Sequence, residues 1–268
     1  MTRIVVVGKR SSLARRFLAT SAFRGDCVAV THDEEAPLDG AQVVVNFAFH
    51  PRLRSEPYDS DLDVDLALAK RLPTETRFVM LSSRMVYGSY ACGATERSAV
   101  AGPDARGLNR YGTNKLEIER RLRDLLGDRL TVLRISNPLG YHPGSPRFMS
   151  RLLDSLRGSG RISLDVSPFT RRDFVTEQYL VEAIEYACLC MIPLTGTFNL
   201  GSGIGTEVGR IALWAIDGLG RGELVITDPH VRDEFWLDMS RAAPLFGPPP
   251  SHDELRAVCV GLGRSLTP

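Results

Sequence analysis

Apolar residues follow two rhythms along this chain. In the first half, short runs rich in Val, Ile and Leu at 3–7, 27–30, 43–47, 78–81 and 131–135 are apolar almost without interruption. A strand with one wet face would alternate, so these runs predict strands covered on both faces. At 12–20, 62–72, 111–126, 148–156 and 180–190, apolar side chains recur at the three- and four-residue spacing of a helix with one buried face. This alternation predicts an α/β fold, a doubly wound parallel sheet joined by crossover helices. The second half is less regular: turn-rich segments at 143–146, 158–160, 201–205 and 247–251 break it up, and 198–200 reads as one more strand of the main sheet. The expected organisation is a nucleotide-binding domain over 1–138, to which the chain returns at about 172–200. Residues 139–171 and 201–268 then form a smaller C-terminal substrate-binding lobe.

Composition narrows the function classes. The 268 residues, 43% of them hydrophobic, suffice for a full core. A formal charge of +1 with no run of like charges leaves no footprint for nucleic acid. No apolar stretch reaches the length of a membrane span, and the first residues enter a strand with no secretory pattern. A cytoplasmic protein acting on small molecules is expected, with neither nucleic acid nor membrane as partner. The cysteines at 27, 92, 188, 190 and 259 lack paired knuckle spacing, so they read as packing residues and no metal is expected.

The first strand runs into Gly8-Lys9-Arg10-Ser11-Ser12-Leu13-Ala14 and then a helix, the context in which a Gly-rich loop cradles a dinucleotide. Gly8 keeps the first glycine, whereas Ser11 and Ala14 replace the second and third. Helix N-terminal amides still favour an anion there, and the Ser11 hydroxyl can donate to it. At the end of the second strand, where an NAD site commonly presents an acid to the adenosine ribose, stand Thr31 and His32; the acid is displaced to Asp33 or absent. With Lys9 and Arg10 nearby, a 2′-phosphate would meet cations, so NADPH is the expected cofactor, with NADH the alternative.

Tyr111 and Lys115 share a helix face at i and i+4, which lets the ammonium stabilise a phenolate that exchanges a proton with an alcohol or ketone. With 7 Tyr and three Lys in the chain, only about 0.08 such pairs are expected by chance. The other basic residues are nearly all Arg, so a lysine here points to a role for a compact ammonium.

Several segments, in order and over nearly the whole chain, resemble the extended short-chain dehydrogenase/reductase family, the NAD-dependent epimerase/dehydratase-like enzymes. Gly8 to Ala14 and Val43-Val-Val-Asn46-Phe47-Ala48 are similar to pieces of dTDP-4-dehydrorhamnose reductases and related nucleotide-sugar 4-ketoreductases. Leu81-Ser82-Ser83-Arg84-Met85-Val86-Tyr87-Gly88 resembles the family's catalytic-serine strand, and Tyr111-Gly-Thr-Asn-Lys115 its catalytic helix. The resemblance implies a Rossmann-type sheet and the catalytic set Ser83, Tyr111 and Lys115, with Ser82 as the fallback hydroxyl. It implies cofactor contacts from Gly8, Lys9, Arg10, Ser11, Ser12, Leu13, Thr31, His32, Asn46, Phe47, Ala48, Tyr111 and Lys115. Substrate contacts follow from Ser83, Arg84 and Met85, and diphosphate contacts from Asn137, Arg172 and Arg232. Departures occur where Thr176-Glu177-Gln178-Tyr179 replaces the family's His-Val-Asp-Asp, and where Asp63 stands for its usual Asn.

The reaction is the finer question. A 4,6-dehydratase carries Asp-Glu after the catalytic hydroxyl; Arg84-Met85 stand there instead. Dehydration is thereby disfavoured, and the glycine-poor first loop together with the expected NADPH preference points to an exchanging cofactor. NAD(P)H-dependent reduction of an NDP-linked, preferentially dTDP-linked, 4-keto-6-deoxyhexose is therefore expected, with the Arg-rich, Lys-poor composition suggesting deoxysugar and antibiotic biosynthesis. An epimerase with tightly held NAD and a non-catalytic NADP-binding sensor are the alternatives. A homodimer is a further expectation, with Leu116, Ile118, Leu122 and Leu125 on the Tyr111 helix available for core packing or pairing.

Overall fold

The computed structural model describes residues 3–20, 27–89, 91–98 and 109–267. The chain forms two compact units: Met1–Gly88, Glu96–Ile135 and Leu180–Asn199 make the first, and Ser89–Thr95, Ser136–Tyr179 and Leu200–Pro268 the second.

The first unit is built on a six-stranded sheet. Its order is Gly196–Leu200, Leu130–Ile135, Arg77–Ser83, Val43–Asn46, Ile4–Val7 and Cys27–Val30. The pairings among the last five are parallel. Ile4–Val7 and Val43–Asn46 are buried at every position, as their unbroken apolar runs require. After the first strand the chain moves to one side of it, then crosses to the other. This order reverses direction beside Ile4–Val7, and the crevice beyond its carboxyl end is where such sheets take ligands. Helix Arg110–Leu126 turns Ile118 and Leu122 into the core, leaves Leu116 half-buried, and exposes 44% of Leu125.

The expected return of the chain to the first domain at about 172 moves to Leu180, ahead of the sheet strand Gly196–Leu200. The reason is pairing: Phe174–Thr176 runs parallel to Asn137–Leu139, and Arg172 opposes Thr206, all within the second unit. That unit packs helices Phe148–Ser159, Val208–Leu219 and His252–Arg264 over a core that includes Leu153, Leu156, Ile162 and Trp214. At its centre Asp173, fully buried, accepts from Ser202 N at 2.7 Å, Ser202 Oγ at 3.0 Å, Gly203 N at 3.2 Å and Leu237 N at 3.0 Å. Among the described residues no helix is long and apolar enough to cross a membrane.

Candidate active site

The mouth of the first strand is a close meeting of two backbones. Gly8 has φ +87°, and a Cβ on it would stand 2.6 Å from Ala48 N. Only glycine fits both the dihedral and the gap. Ser11, in the position of the second glycine, accepts from Ala14 N at 3.1 Å and so caps the helix Ser12–Thr20. The substitution that departs from the glycine pattern thus has a local task. A helix start, a glycine without room for a side chain, and first-turn amides outside the helix's own ladder fit a dinucleotide diphosphate.

At the end of the second strand, beyond Asp33, Glu34 loops back to accept from Thr31 N at 2.8 Å and from Lys9 Nζ at 2.8 Å. Lys9 is therefore not an unopposed cation. Lys9 and the Thr31 amide both hold the Glu34 carboxyl below its ordinary range. Thr31 is buried, while His32 and Arg10 are exposed. Phe47 packs its ring against Phe17 at 5.6 Å.

Asn46 closes the third strand with its side chain fully engaged. Its Oδ1 accepts from Ala48 N at 2.8 Å, while Nδ2 donates to Ala48 O at 3.2 Å and to Asp65 Oδ1 at 2.7 Å. The other oxygen of Asp65 lies 3.8 Å from Lys115 Nζ, which donates to Leu81 O at 2.9 Å. Both side chains are buried, 4% exposed for Lys115 and 3% for Asp65. Burial pushes the Asp65 carboxyl up to about 6, with Lys115 pulling the other way.

Tyr111 sits in the first turn of helix Arg110–Leu126, whose start is capped by Asn109 accepting from Gly112 N at 2.9 Å. Its ring meets Phe49 edge-on with centroids 5.1 Å apart, and the Arg54 guanidinium lies 5.3 Å from it. Phe49 is also 4.5 Å from Lys115 Nζ, so one aromatic ring is the shared neighbour of the phenol-bearing ring and the ammonium. Asn114 holds the loop that supplies Phe49 and Arg54 by donating to Leu53 O and Glu56 O, both at 2.8 Å.

The two serines diverge, as successive strand residues must. Ser82 is buried and donates to Glu119 Oε1 at 2.5 Å. Glu119 is in turn gripped by Arg134, with Nε–Oε1 at 3.1 Å and Nη2–Oε2 at 2.6 Å, and Arg134 Nη1 continues to Tyr87 Oη at 2.9 Å. Ser83, half-buried at the strand's end, accepts from Met85 N at 3.2 Å and retains its proton to donate. Tyr87, the other tyrosine near this strand, donates to Asn199 Oδ1 at 2.7 Å, and burial pushes its phenol up to about 12. Arg84 is buried, with Nη1 donating back to Gly88 O at 3.3 Å, while Met85 is half-buried.

In the second unit, Asn137 opens the short strand Asn137–Leu139 and is half-buried. The Arg172 guanidinium is held by Asp233 through Nε at 2.9 Å and through Nη2, and lies 5.6 Å from the Phe148 ring. A diphosphate on Arg172 would share it with that carboxylate. Arg232 is exposed. Glu177, one of the departures from the family pattern, meets His142 Nε2 at 2.8 Å, and Gly140 is needed beside it, because a Cβ there would stand 2.3 Å from the Glu177 carboxyl. Asp63, the other departure, caps helix Val64–Ala69 by accepting from Leu66 N at 3.0 Å, and accepts from Tyr58 Oη at 2.7 Å. Capping suits Asp as well as Asn.

Asp65, Glu34, Phe49 and Arg54 escape sequence reasoning. Asp65 reads as an ordinary first-turn acid of a short helix, and the others belong to irregular segments whose partners are distant in sequence.

The model of the NAD dependent epimerase/dehydratase family matches residues 34–201. No curated protein matches the chain significantly. Among solved structures, MoeE5 in complex with UDP-glucose and NAD superposes with a TM-score of 0.76 at 19% identity, covering 98% of this chain and 99% of that one. UDP-glucose 4-epimerase of Thermotoga maritima with UDP-glucose gives 0.78 at 18% identity, over 98% and 99%. RMD from Pseudomonas aeruginosa complexed with NADPH gives 0.72 at 18%, over 99% of each chain. At these identities the likeness is one of fold.

Proposed function

The chain belongs to the NAD dependent epimerase/dehydratase family, and from that premise we propose that it reduces the keto group of an NDP-linked 4-keto-6-deoxyhexose, preferentially a dTDP sugar, at the expense of NADPH. The observation that carries the reading is the buried Lys115 ammonium, one helical turn beyond Tyr111, tied to Leu81 O just before Ser83. The solved structures of like fold include ones bound to UDP-glucose and to NAD or NADPH, which favours a nucleotide sugar and a nicotinamide.

A bound reduced nicotinamide supplies hydride to the carbonyl carbon. In this reading Tyr111 gives its phenolic proton to the carbonyl oxygen, and Ser83 donates a hydrogen bond to the charge that develops there. Lys115 binds the nicotinamide ribose and stabilises the phenolate until solvent returns the proton. Gly8, Ser11, Ser12, Leu13 and the Asn46–Ala48 turn hold the dinucleotide. Arg10 meets the 2′-phosphate, together with Lys9 once Glu34 yields it. Asn137, Arg172 and Arg232 take the sugar nucleotide's diphosphate. Elimination chemistry is disfavoured, because Arg84 follows Ser83 where an acid would be needed and is turned back onto Gly88 O.

NADPH oxidation in the presence of a panel of NDP-4-keto sugars tests this. Tyr111→Phe is expected to abolish turnover while cofactor binding persists; unchanged turnover excludes Tyr111 as the acid. One observation favours a second reading. Glu34 beside Thr31 N suits an unphosphorylated ribose, which fits an epimerase that keeps NAD. Retained NAD after purification, with sugar interconversion and no net oxidation of NADPH, would decide for it.

A further inference from the structure

We propose that Asp65 is a positioning residue: its carboxylate, fixed by Asn46, holds the Lys115 ammonium over the Phe49 ring and against Leu81 O, leaving it donor capacity for a cofactor one helical turn from Tyr111. The inference rests on the reading of Lys115 given above.

The geometry favours a positioning role over simple core filling. Asp65 and Lys115 are both nearly sealed from solvent, and a buried pair of opposite charges stabilises less than well-packed apolar residues of similar size. Their separation of 3.8 Å is longer than a hydrogen bond, so the carboxylate acts as a fixed charge and does not saturate the ammonium. Lysine has three donors; Leu81 O takes one, at 2.9 Å. Asp65 is itself prevented from turning, because Asn46 Nδ2 donates to its Oδ1 at 2.7 Å and Asn46 is locked by two further bonds to Ala48. Asn46 ends the third strand and Leu81 lies in the fourth, so the ammonium is located by two adjacent strands of the sheet. Burial pushes the Asp65 carboxyl up, while the Lys115 charge beside it favours the ionised form. Displacing a reacting group by about 1 Å can cost a hundredfold in rate.

Because the chain has only three lysines, its ε-methylene spectrum is simple. With [13C-ε]lysine incorporated, the Lys115 signal is identified by its loss in Lys115→Met. It is expected upfield of Lys9 and Lys70, from the ring current of Phe49 4.5 Å from Nζ. In Asp65→Asn that signal should move toward the other two, kcat should fall about 10–100-fold, and substrate KM should change less than about threefold. Asp65→Asn should add little to the loss of cofactor affinity already caused by Lys115→Met, since acting through one group makes the effects non-additive. An unmoved Lys115 signal in folded Asp65→Asn overturns the proposal. If Asp65→Asn does not fold, Asp65→Glu, which keeps the charge but advances it by a methylene, must shift the same signal; an unmoved signal there overturns it equally. If instead Lys115→Met retains full turnover and cofactor affinity, it is the reading of Lys115 that fails, whatever Asp65 does to the spectrum.

Discussion

Ser82 and Ser83 are adjacent, alike and separable. Ser82→Ala removes a hydroxyl that donates to a fully buried carboxylate, Glu119 Oε1, at 2.5 Å. A hydrogen bond to a charged group contributes about 1.5–3 kcal/mol, and Arg134 keeps Glu119 paired, so the loss should stay near 2 kcal/mol. For a chain of this size that is a fall of about 4–8 °C in melting temperature. Turnover at the permissive temperature should remain within about threefold. Ser83→Ala removes the cap on Met85 N, worth about 1 kcal/mol, and melting should fall by only about 2–4 °C. Turnover should fall by about 10²–10³, the usual effect of deleting a donor to a developing oxyanion. Differential scanning calorimetry and NADPH oxidation on the same two preparations give the four numbers. A crossed result, with Ser82→Ala inactive but thermally intact and Ser83→Ala active, would refute both the assignment of the hydroxyl and the reasoning from strand alternation.

Gly8→Ala forces a Cβ into a gap of 2.6 Å at a φ of +87°, so cofactor affinity should drop at least about a hundredfold by titration calorimetry, and wild-type affinity would mean that the two loops do not meet as described. Glu34→Gln removes a carboxylate from Lys9, and the ratio of kcat/KM for NADPH over NADH should rise about five- to tenfold; an unchanged ratio would remove Lys9 from the phosphate site. Asp173→Asn leaves Gly203 N and Leu237 N facing an amide nitrogen, a loss of roughly 2–5 kcal/mol readable by denaturant unfolding. Burial raises the Asp173 carboxyl from 3.8 to about 6, so between those values the native state holds a proton that the unfolded chain has released. That contribution is present below about pH 4 and is lost as pH rises through 6. The gap between wild type and Asp173→Asn should therefore be wider at pH 4.5 than at pH 7, and a gap that narrows on acidification would show Asp173 to be charged throughout.

The sheet was legible because strands covered on both faces leave nothing polar to write into the chain: Ile4–Val7 and Val43–Val45 are all apolar. The first loop was legible through Gly8, whose need for an absent side chain leaves only one residue type. Ser11 looked like damage to a glycine pattern and is a helix cap instead, a role that serine at the start of any helix advertises. What periodicity could not convey is which face of a strand meets which helix. Ser82 and Ser83 had to point oppositely, but only the helix position of Glu119, 37 residues further on, decides which one is spent on structure. The same holds for Glu34, whose bond to Lys9 spans 25 residues, and for Asp65, which lies 50 residues from Lys115. The point at which the chain rejoins the first unit, Leu180, was likewise hidden, because Phe174–Thr176 reads like a sheet strand and pairs elsewhere.

Two buried ion pairs lie close to the end of strand Arg77–Ser83, and their geometries differ in a way that separates scaffold from chemistry. Arg134 is engaged through all three nitrogens: Nε and Nη2 are bonded to Glu119, and Nη1 to Tyr87. Bidentate pairing of this kind fixes the geometry of both partners. Lys115 is matched in charge but less fully in hydrogen bonds: among the described residues Asp65 stands off at 3.8 Å and Leu81 O alone receives a short bond. A structural pair gains nothing by such looseness, because a buried donor without a partner is costly. A group that must engage a cofactor does gain, because the unspent donor is what it offers. The arginine pair thus holds Ser82 and the helix that carries Tyr111 to the strand, and the lysine pair locates an ammonium one turn from Tyr111, as the proposed chemistry requires.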